Sequence, residues 1–279
     1  MMSKFPNMRA SSNAPVSRSS AATCAALLCV VGALAAPLRA AATPLEDAAE
    51  TYRRHLIDDI GQSLTGARTL RGRIAADDVD GARQAWIDAR VGWERSEVFT
   101  SGFVPDLDKE IDAWPNAVHG FHGIEAKLFG RNRADAGPET DALIAHLADL
   151  QAQLRDMPLP PQRLLNGIAR LAFEIGDSKA DGGESRLSGT SLADMQSNAA
   201  GIDLAYRTIF ADALEAGDPR LAAAVRAAIT RLTTAVRVND LRTLDMDKLR
   251  ANAEELVALL QRAAPKIGLA PPTLEETAP

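Results

Sequence analysis

Cysteine is nearly missing from this chain. Both thiols, Cys24 and Cys29, lie inside a short apolar stretch near the N-terminus, and none follows it. That absence excludes Cys-ligated zinc, iron–sulfur clusters, Cys nucleophiles and disulfides downstream, and it suits an oxidising compartment where stray thiols would cross-link. Aromatic residues are scarce at 4%, and β-branched runs of strand length are absent, while Ala and Leu dominate, so the composition points to helices. A basic surplus is lacking too. Asp and Glu outnumber Lys and Arg 37 to 31, and the cations are scattered, so no patch could track phosphates and nucleic acid is not an expected partner. A second long apolar run is also missing, so no stable membrane insertion is expected once the first is removed.

What is present begins with Lys4, Arg9 and Arg18, followed by an uncharged stretch from Ala21 to Pro37 and the small-residue run Ala40-Ala41-Ala42. The apolar part is shorter than the roughly 20 residues of a comfortable membrane span. Basic start, short apolar core and small residues together read as a signal peptide over residues 1–42, cleaved near Ala42. Neither cysteine follows the small residue that a lipoprotein site needs. The exported chain is therefore expected to be soluble, periplasmic and free of thiols, with a helical domain over 43–270 and a polar, Pro-rich, disordered tail over 271–279.

Helix signals divide that domain into eight segments. Thr43 as cap and Pro44 as first residue open a helix to about Ala76, with a break expected at Gly61 or Gly66. A second runs from Asp78 to about Thr100. Residues 101–115 hold too many breakers and charges for a regular element. A third helix is predicted over Pro115–Phe129, and a fourth over Pro138–Asp156 with Leu143, Leu147, Leu150 and Leu154 as its stripe. After Met157-Pro158-Leu159-Pro160-Pro161, helices follow over Gln162–Lys179, Ser191–Ala216, Pro219–Val238 and Asp245 to just before Pro265. The fold class is all-α: two packed four-helix bundles in one compact body, because each amphipathic stripe needs a partner.

Chemistry concentrates around Gly120-Phe121-His122-Gly123-Ile124-Glu125. On a helix His122 and Glu125 share a face with apolar neighbours, and buried ionisable groups must be paired or hold an ion. Two readings stay open: a hydrogen-bonded core pair or a metal site. In the second helix Trp86, Arg90, Trp93 and Glu97 share one face, with Glu94 one turn away. An Arg90 ion pair with Glu94 or Glu97 competes there with a ligand role. Asp108 and Asp112 belong to a carboxylate-rich link read either as solvated loop or as a source of ligands. Glu97 is expected near His122 and Glu125, with Asp108 or Asp112 closing the site. Carboxylates plus imidazole without thiolate favour iron, manganese or zinc. His119 and His146 read as surface and core-edge residues, and Gly182–Ser191 as a flexible linker with Thr190 or Ser191 as helix cap.

These residues resemble the imelysin and EfeO-type periplasmic proteins, the M75 peptidase-like family, whose signature Gly-x-His-x-x-Glu is matched at Gly120, His122 and Glu125. Trp93-Glu94-Arg95-Ser96-Glu97, Ile111-Asp112-Ala113-Trp114-Pro115, Leu128-Phe129-Gly130 and Glu184-Ser185-Arg186-Leu187-Ser188-Gly189-Thr190-Ser191, with Asp194, Asn198 and Gly201 beyond, extend the resemblance over nearly the whole exported chain. It implies paired four-helix bundles and a metal site of His122 and Glu125 with Glu94, Glu97, Asp108 and Asp112 as acidic partners. It implies an iron-uptake component, with an inner-membrane iron permease and a periplasmic peroxidase as partners and no catalytic residue. Gly189 and Ser191 stand where EfeO-type sequences commonly have His and Asp, and the N-terminal cupredoxin domain of the full EfeO pattern is not expected. Two other function classes compete. A metallopeptidase would need three protein ligands and a water position, and an inverted His-x-x-Glu-His motif fails at Ala126. Binding of an acidic polysaccharide or surface partner meets a net charge of -6.

Overall fold

The computed structural model describes residues 43–113 and 118–274. The expected signal peptide over 1–42, residues 114–117 at the expected start of the third helix and residues 275–279 of the expected tail lie outside the described residues.

Helix α1 spans Pro44–Ala75. Thr43 caps it through a reciprocal box: its hydroxyl accepts from the Glu46 N–H at 3.3 Å, and the Glu46 carboxylate accepts from the Thr43 N–H at 2.6 Å. Neither Gly61 nor Gly66 breaks this helix, because α2 and α6 support it along its length. Asp78 caps α2, Val79–Ser96, so a three-residue link folds it back on α1. The expected irregular stretch is instead two short helices, α3 over Thr100–Phe103 and α4 over Pro105–Ile111. Pro105 occupies a first-turn position where its missing N–H costs nothing, and Asp106 and Asp108 favour the positive end of the helix. The residues read as breakers are therefore a helix start.

Helix α5 covers Gly120–Glu125 and runs into a π turn over Ala126–Gly130. It cannot extend back to Pro115 as expected, since His119 is extended and Gly120 has φ +57°. Helix α6, Gly137–Gln153, buries Leu143, Leu147 and Leu150 of its predicted stripe, and its C-cap residue Leu154 is buried with them. Helix α7, Pro161–Gly176, stops three residues before the expected Lys179. Helix α8, Ser191–Ala205, continues through a second π turn, Tyr206–Phe210, into α9, Ala211–Gly217. Asp218 and Asp245 cap α10, Pro219–Ala235, and α11, Met246–Ala263. Beyond them, residues as far as Thr273 lie beside α7, with Asn166 Nδ2 donating to the Thr273 hydroxyl at 3.5 Å.

No strand occurs among the described residues. Helices α1, α2 and α6 pack together with α4 and α5 against α6; α7, α8, α10 and α11 form the second group, and α2 lies on α8 where the groups meet. Trp86, Trp93 and Phe121 are fully buried near that seam. Burying each large apolar side chain is worth about 1.5–3 kcal/mol, and the same apolar wall encloses the charged residues described next. Among the described residues no helix is long and apolar enough to cross a membrane.

Candidate functional site

The end of α4 and the start of α5 are pressed together by one glycine. A Cβ on Gly120 would lie 2.4 Å from the Ile111 carbonyl oxygen, and its φ of +57° is a region L side chains rarely adopt. This contact lets the His122 N–H donate to the Asp112 carbonyl at 3.2 Å. It also brings His122 Nε2 to 3.6 Å from Asp112 Oδ1. The glycine of the signature thus sets the distance between its histidine and a carboxylate outside it.

Glu125 holds the other side of the imidazole. Its Oε2 accepts from His122 Nδ1 at 2.8 Å, and its Oε1 accepts from the Ser188 N–H at 2.8 Å and the Ser188 hydroxyl at 2.7 Å. Burial pushes the Glu125 pKa up, but the bonds from His122 and Ser188 outweigh it and the net direction is down. A carboxylate that accepts Nδ1–H fixes the tautomer and aims Nε2 as a ligand, the usual arrangement behind a metal-binding histidine. Both Glu125 oxygens are engaged in this orienting role.

Helix α2 contributes Arg90, Glu94 and Glu97. The Arg90 guanidinium is fully buried over the Trp86 and Phe121 rings, at 5.2 and 5.4 Å from their centroids. It is paired with Glu94, with Asp112 at 3.1 Å and with Asp194 at 3.4 Å, and Glu184 lies 3.7 Å away. Burial would lower its pKa, yet Asp194, Glu94, Asp112 and Glu184 hold it well above the ordinary value. The Arg90–Glu94 pair foreseen as the alternative to a ligand role is formed. Lys179, buried in the turn after α7, reaches Glu184 Oε2 at 2.7 Å, Glu97 at 2.9 Å and Glu94 at 3.6 Å. Asn198 of α8 donates to Glu94 Oε2 at 2.9 Å and Glu97 Oε2 at 2.8 Å.

Carboxylate and imidazole donors collect in two groups, Asp112 with His122 and Glu184, and Glu94 with Glu97 and Glu184; within each, one donor atom per residue lies within 4.8 Å of the others. Ligands sharing an ion at about 2.0–2.2 Å stand at most about 4.4 Å apart, so a small side-chain rotation suffices to close each group on one cation. Glu184 belongs to both. A cavity of about 220 Å³ opens beside them, lined among others by Glu97, Asp108, Asp112, Arg170, Lys179 and Glu184. Burial and then Asp112 push Asp108 up to about 7, burial raises Glu94 to about 7, and burial and then Glu94 raise Glu97 well above the carboxylate range. Asp112 goes the other way: burial opposes ionisation, but His122 and Arg90 lower its pKa.

Of the sequence-predicted residues, His122, Glu125 and Asp112 come together, whereas Glu97 is not grouped with His122 as expected: Lys179 and Asn198 hold it with Glu94 in the second group, and Asp108 lies on the cavity wall. His119 lies 3.6 Å from Glu110 near the surface. Local reading missed Glu184, Lys179 and Ser188. Gly182–Ser191 is no flexible linker. The Ser191 hydroxyl accepts from the Ser185 N–H at 3.2 Å and donates to the Gly182 carbonyl at 3.1 Å, and Thr190 stands at the α8 cap position without a capping bond. The signal for this loop lay in its match to a distant motif, not in its turn-forming composition.

Comparison with known proteins places this geometry among relatives. The family model for imelysin (peptidase M75) matches residues 48–117 and 116–264. An iron uptake system component EfeM from Pseudomonas syringae is 30% identical over 187 residues, covering 62% of this chain and 65% of the relative. An iron uptake system component EfeO from Escherichia coli O157:H7 is 29% identical over 200 residues, covering 68% of this chain and 53% of that protein. The chain thus spans less than two thirds of these relatives' length. The crystal structure of a protein from Parabacteroides distasonis described as an iron-regulated protein A precursor superposes with a TM-score of 0.61 at 17% identity, over 82% of this chain and 97% of that one. Fold, ordered motifs and the extent of the family match agree: the chain belongs to the imelysin family.

Proposed function

We propose that this chain is the periplasmic metal-binding component of an iron-uptake system and that iron is its cargo, held at His122 Nε2 with Asp112 and Glu184. In this reading Glu94, Glu97 and Asp108 form the acidic approach and Glu125 orients the imidazole. The observation that carries it is an imbalance of buried charge. Buried Glu94, Asp112 and Glu184 and half-buried Glu97 and Asp108 gather at or beside one cavity, while Arg90 and Lys179 supply the buried cations and Arg170 on the cavity wall is taken up by Glu174 at 2.8 Å. Buried carboxylates without counter-charge are costly, and a multivalent cation relieves that cost. Oxygen donors with one imidazole suit iron, and also manganese or zinc. The acidic lining favours a hydrated cation over an anionic chelate or an acidic polysaccharide.

Relatives named as iron uptake components support the assignment of cargo. An inner-membrane iron permease and a periplasmic peroxidase are the partners this role calls for, and export through residues 1–42 delivers the chain to the periplasm. Elemental analysis of protein purified without chelator or affinity tag tests the reading, and iron is the expected metal. Added metal should raise the melting temperature, since a ligand at a hundredfold excess over Kd contributes about 2.7 kcal/mol. His122→Ala should abolish the rise. Protein that carries no metal and shows no metal-dependent melting would overturn the proposal. Intact mass of periplasmic material should begin near Thr43 and lack both cysteines.

A further inference from the structure

We propose that Lys179 is a tethered counter-cation which metal must displace from Glu184, so that this lysine sets the affinity of the site and reserves it for multivalent ions. The inference rests on the metal-binding reading above and concerns how that site is regulated.

Three observations carry it. First, Lys179 holds both oxygens of Glu184, with Nζ 2.7 Å from Oε2 and 2.9 Å from Oε1. Second, Glu184 is the carboxylate common to the two donor groups, one with Asp112 and His122 and one with Glu94 and Glu97. Because Lys179 spans both Glu184 oxygens, a metal reaching either one must share it with an ammonium, and the two cations repel one another. Loading therefore draws Glu184 off Lys179. Third, the two buried cations are held differently. Arg90 is a planar fork fixed by Glu94, Asp112 and Asp194 and by two aromatic faces. Lys179 is a point charge on a flexible stem, in a turn beyond the end of α7, and Glu97 at 2.9 Å and Glu94 at 3.6 Å are ready to take it.

A monovalent ion offers Glu184 no more charge than the ammonium already does and does not gain the tether's advantage. A divalent or trivalent ion offers more and displaces it. Lys179 thereby offsets part of the negative charge of the unloaded cluster, lowers affinity enough for release, and screens out sodium and potassium.

Mn2+ titrated into the full exported chain, followed calorimetrically, tests this in wild type, Lys179→Met and Lys179→Arg. Lys179→Met should bind Mn2+ about tenfold tighter or more, the scale of a lost hydrogen bond to a charged group, and Lys179→Arg should not. Potassium chloride should weaken Mn2+ binding in Lys179→Met beyond an equal ionic strength of choline chloride, and should have no such specific effect on wild type. If Lys179→Met does not fold, Lys179→Met/Glu97→Gln removes a cation together with a carboxylate and must bind Mn2+ about tenfold tighter than Glu97→Gln alone. Equal or weaker binding in the folded variant, with wild type binding Mn2+, overturns the role of Lys179 alone. A wild type that binds no metal overturns the site itself.

Discussion

Glu125 gives both oxygens to hydrogen bonds, and this separates the roles of the two residues in the His-x-x-Glu spacing. A glutamine at position 125 can turn its amide N–H toward His122 Nδ1, which would move the ring proton to Nε2 and spoil it as a ligand. Glu125→Gln should therefore cost roughly 10–100-fold in metal affinity, the usual penalty for losing the partner behind a ligating histidine, with little change in helix content. Wild-type affinity in that variant would sink the orienting role. Gly120→Ala should be costly for a different reason. The residue sits at φ +57° with the Ile111 carbonyl in the space of a Cβ, so strain of about 1–3 kcal/mol is expected, together with loss of the Asp112–His122 approach. Urea denaturation and Mn2+ titration of the same sample would show both. At this scale His122, Glu125 and the α2 carboxylates could be read from periodicity, because each lies on an apolar helical face, whereas Asp112 was legible only as one of several carboxylates in a link. Glu184 and Lys179 could not: they occupy turns, where no period marks the inward direction, and their partners are far away in the chain.

Helices α2 and α8 meet closely because Gly201 has no side chain; a Cβ there would lie 2.2 Å from the Arg95 carbonyl oxygen. That approach carries Asn198 and Asp194 onto Glu94, Glu97 and Arg90. Gly201→Val should push the helices apart, destabilise the protein by about 1–3 kcal/mol as an overpacked contact does, and weaken metal binding, since it loosens the α2 carboxylates. A variant with unchanged urea midpoint would show that the seam is not tight. Most elements follow local rules, which is why the Thr43 and Asp245 caps, the Pro158–Pro161 turn and the α6 leucine stripe were readable. The exceptions have local causes as well. Pro105 and its acidic neighbours look like breakers but satisfy the needs of a helix N-terminus, and the extended His119 stops α5 from reaching back toward Pro115.

Across the whole molecule, the buried carboxylates give the metal-free protein an unusual response to pH. Burial raises Glu94 and Asp108 to about 7 and Glu97 well above its ordinary range, whereas in the unfolded chain all three return to ordinary carboxylate values. Between about pH 4.5 and pH 7 the folded protein therefore binds more protons than the unfolded one, and stability falls as pH rises through that window. Asp112 and Glu125, whose pKa values are lowered, act oppositely: their contribution is present above the ordinary carboxylate pKa and is lost as pH falls below it. The chelator-treated protein should accordingly melt at a higher temperature near pH 5 than near pH 7.5, and Asp108→Asn should flatten that difference. Metal reverses the sign, because a bound cation holds the carboxylates ionised and protons compete with it. The loaded protein should melt higher near pH 7.5 than near pH 5. Melting curves of both forms across this range decide the matter: if the two forms change with pH in the same direction, the raised carboxylates do not belong to the metal site.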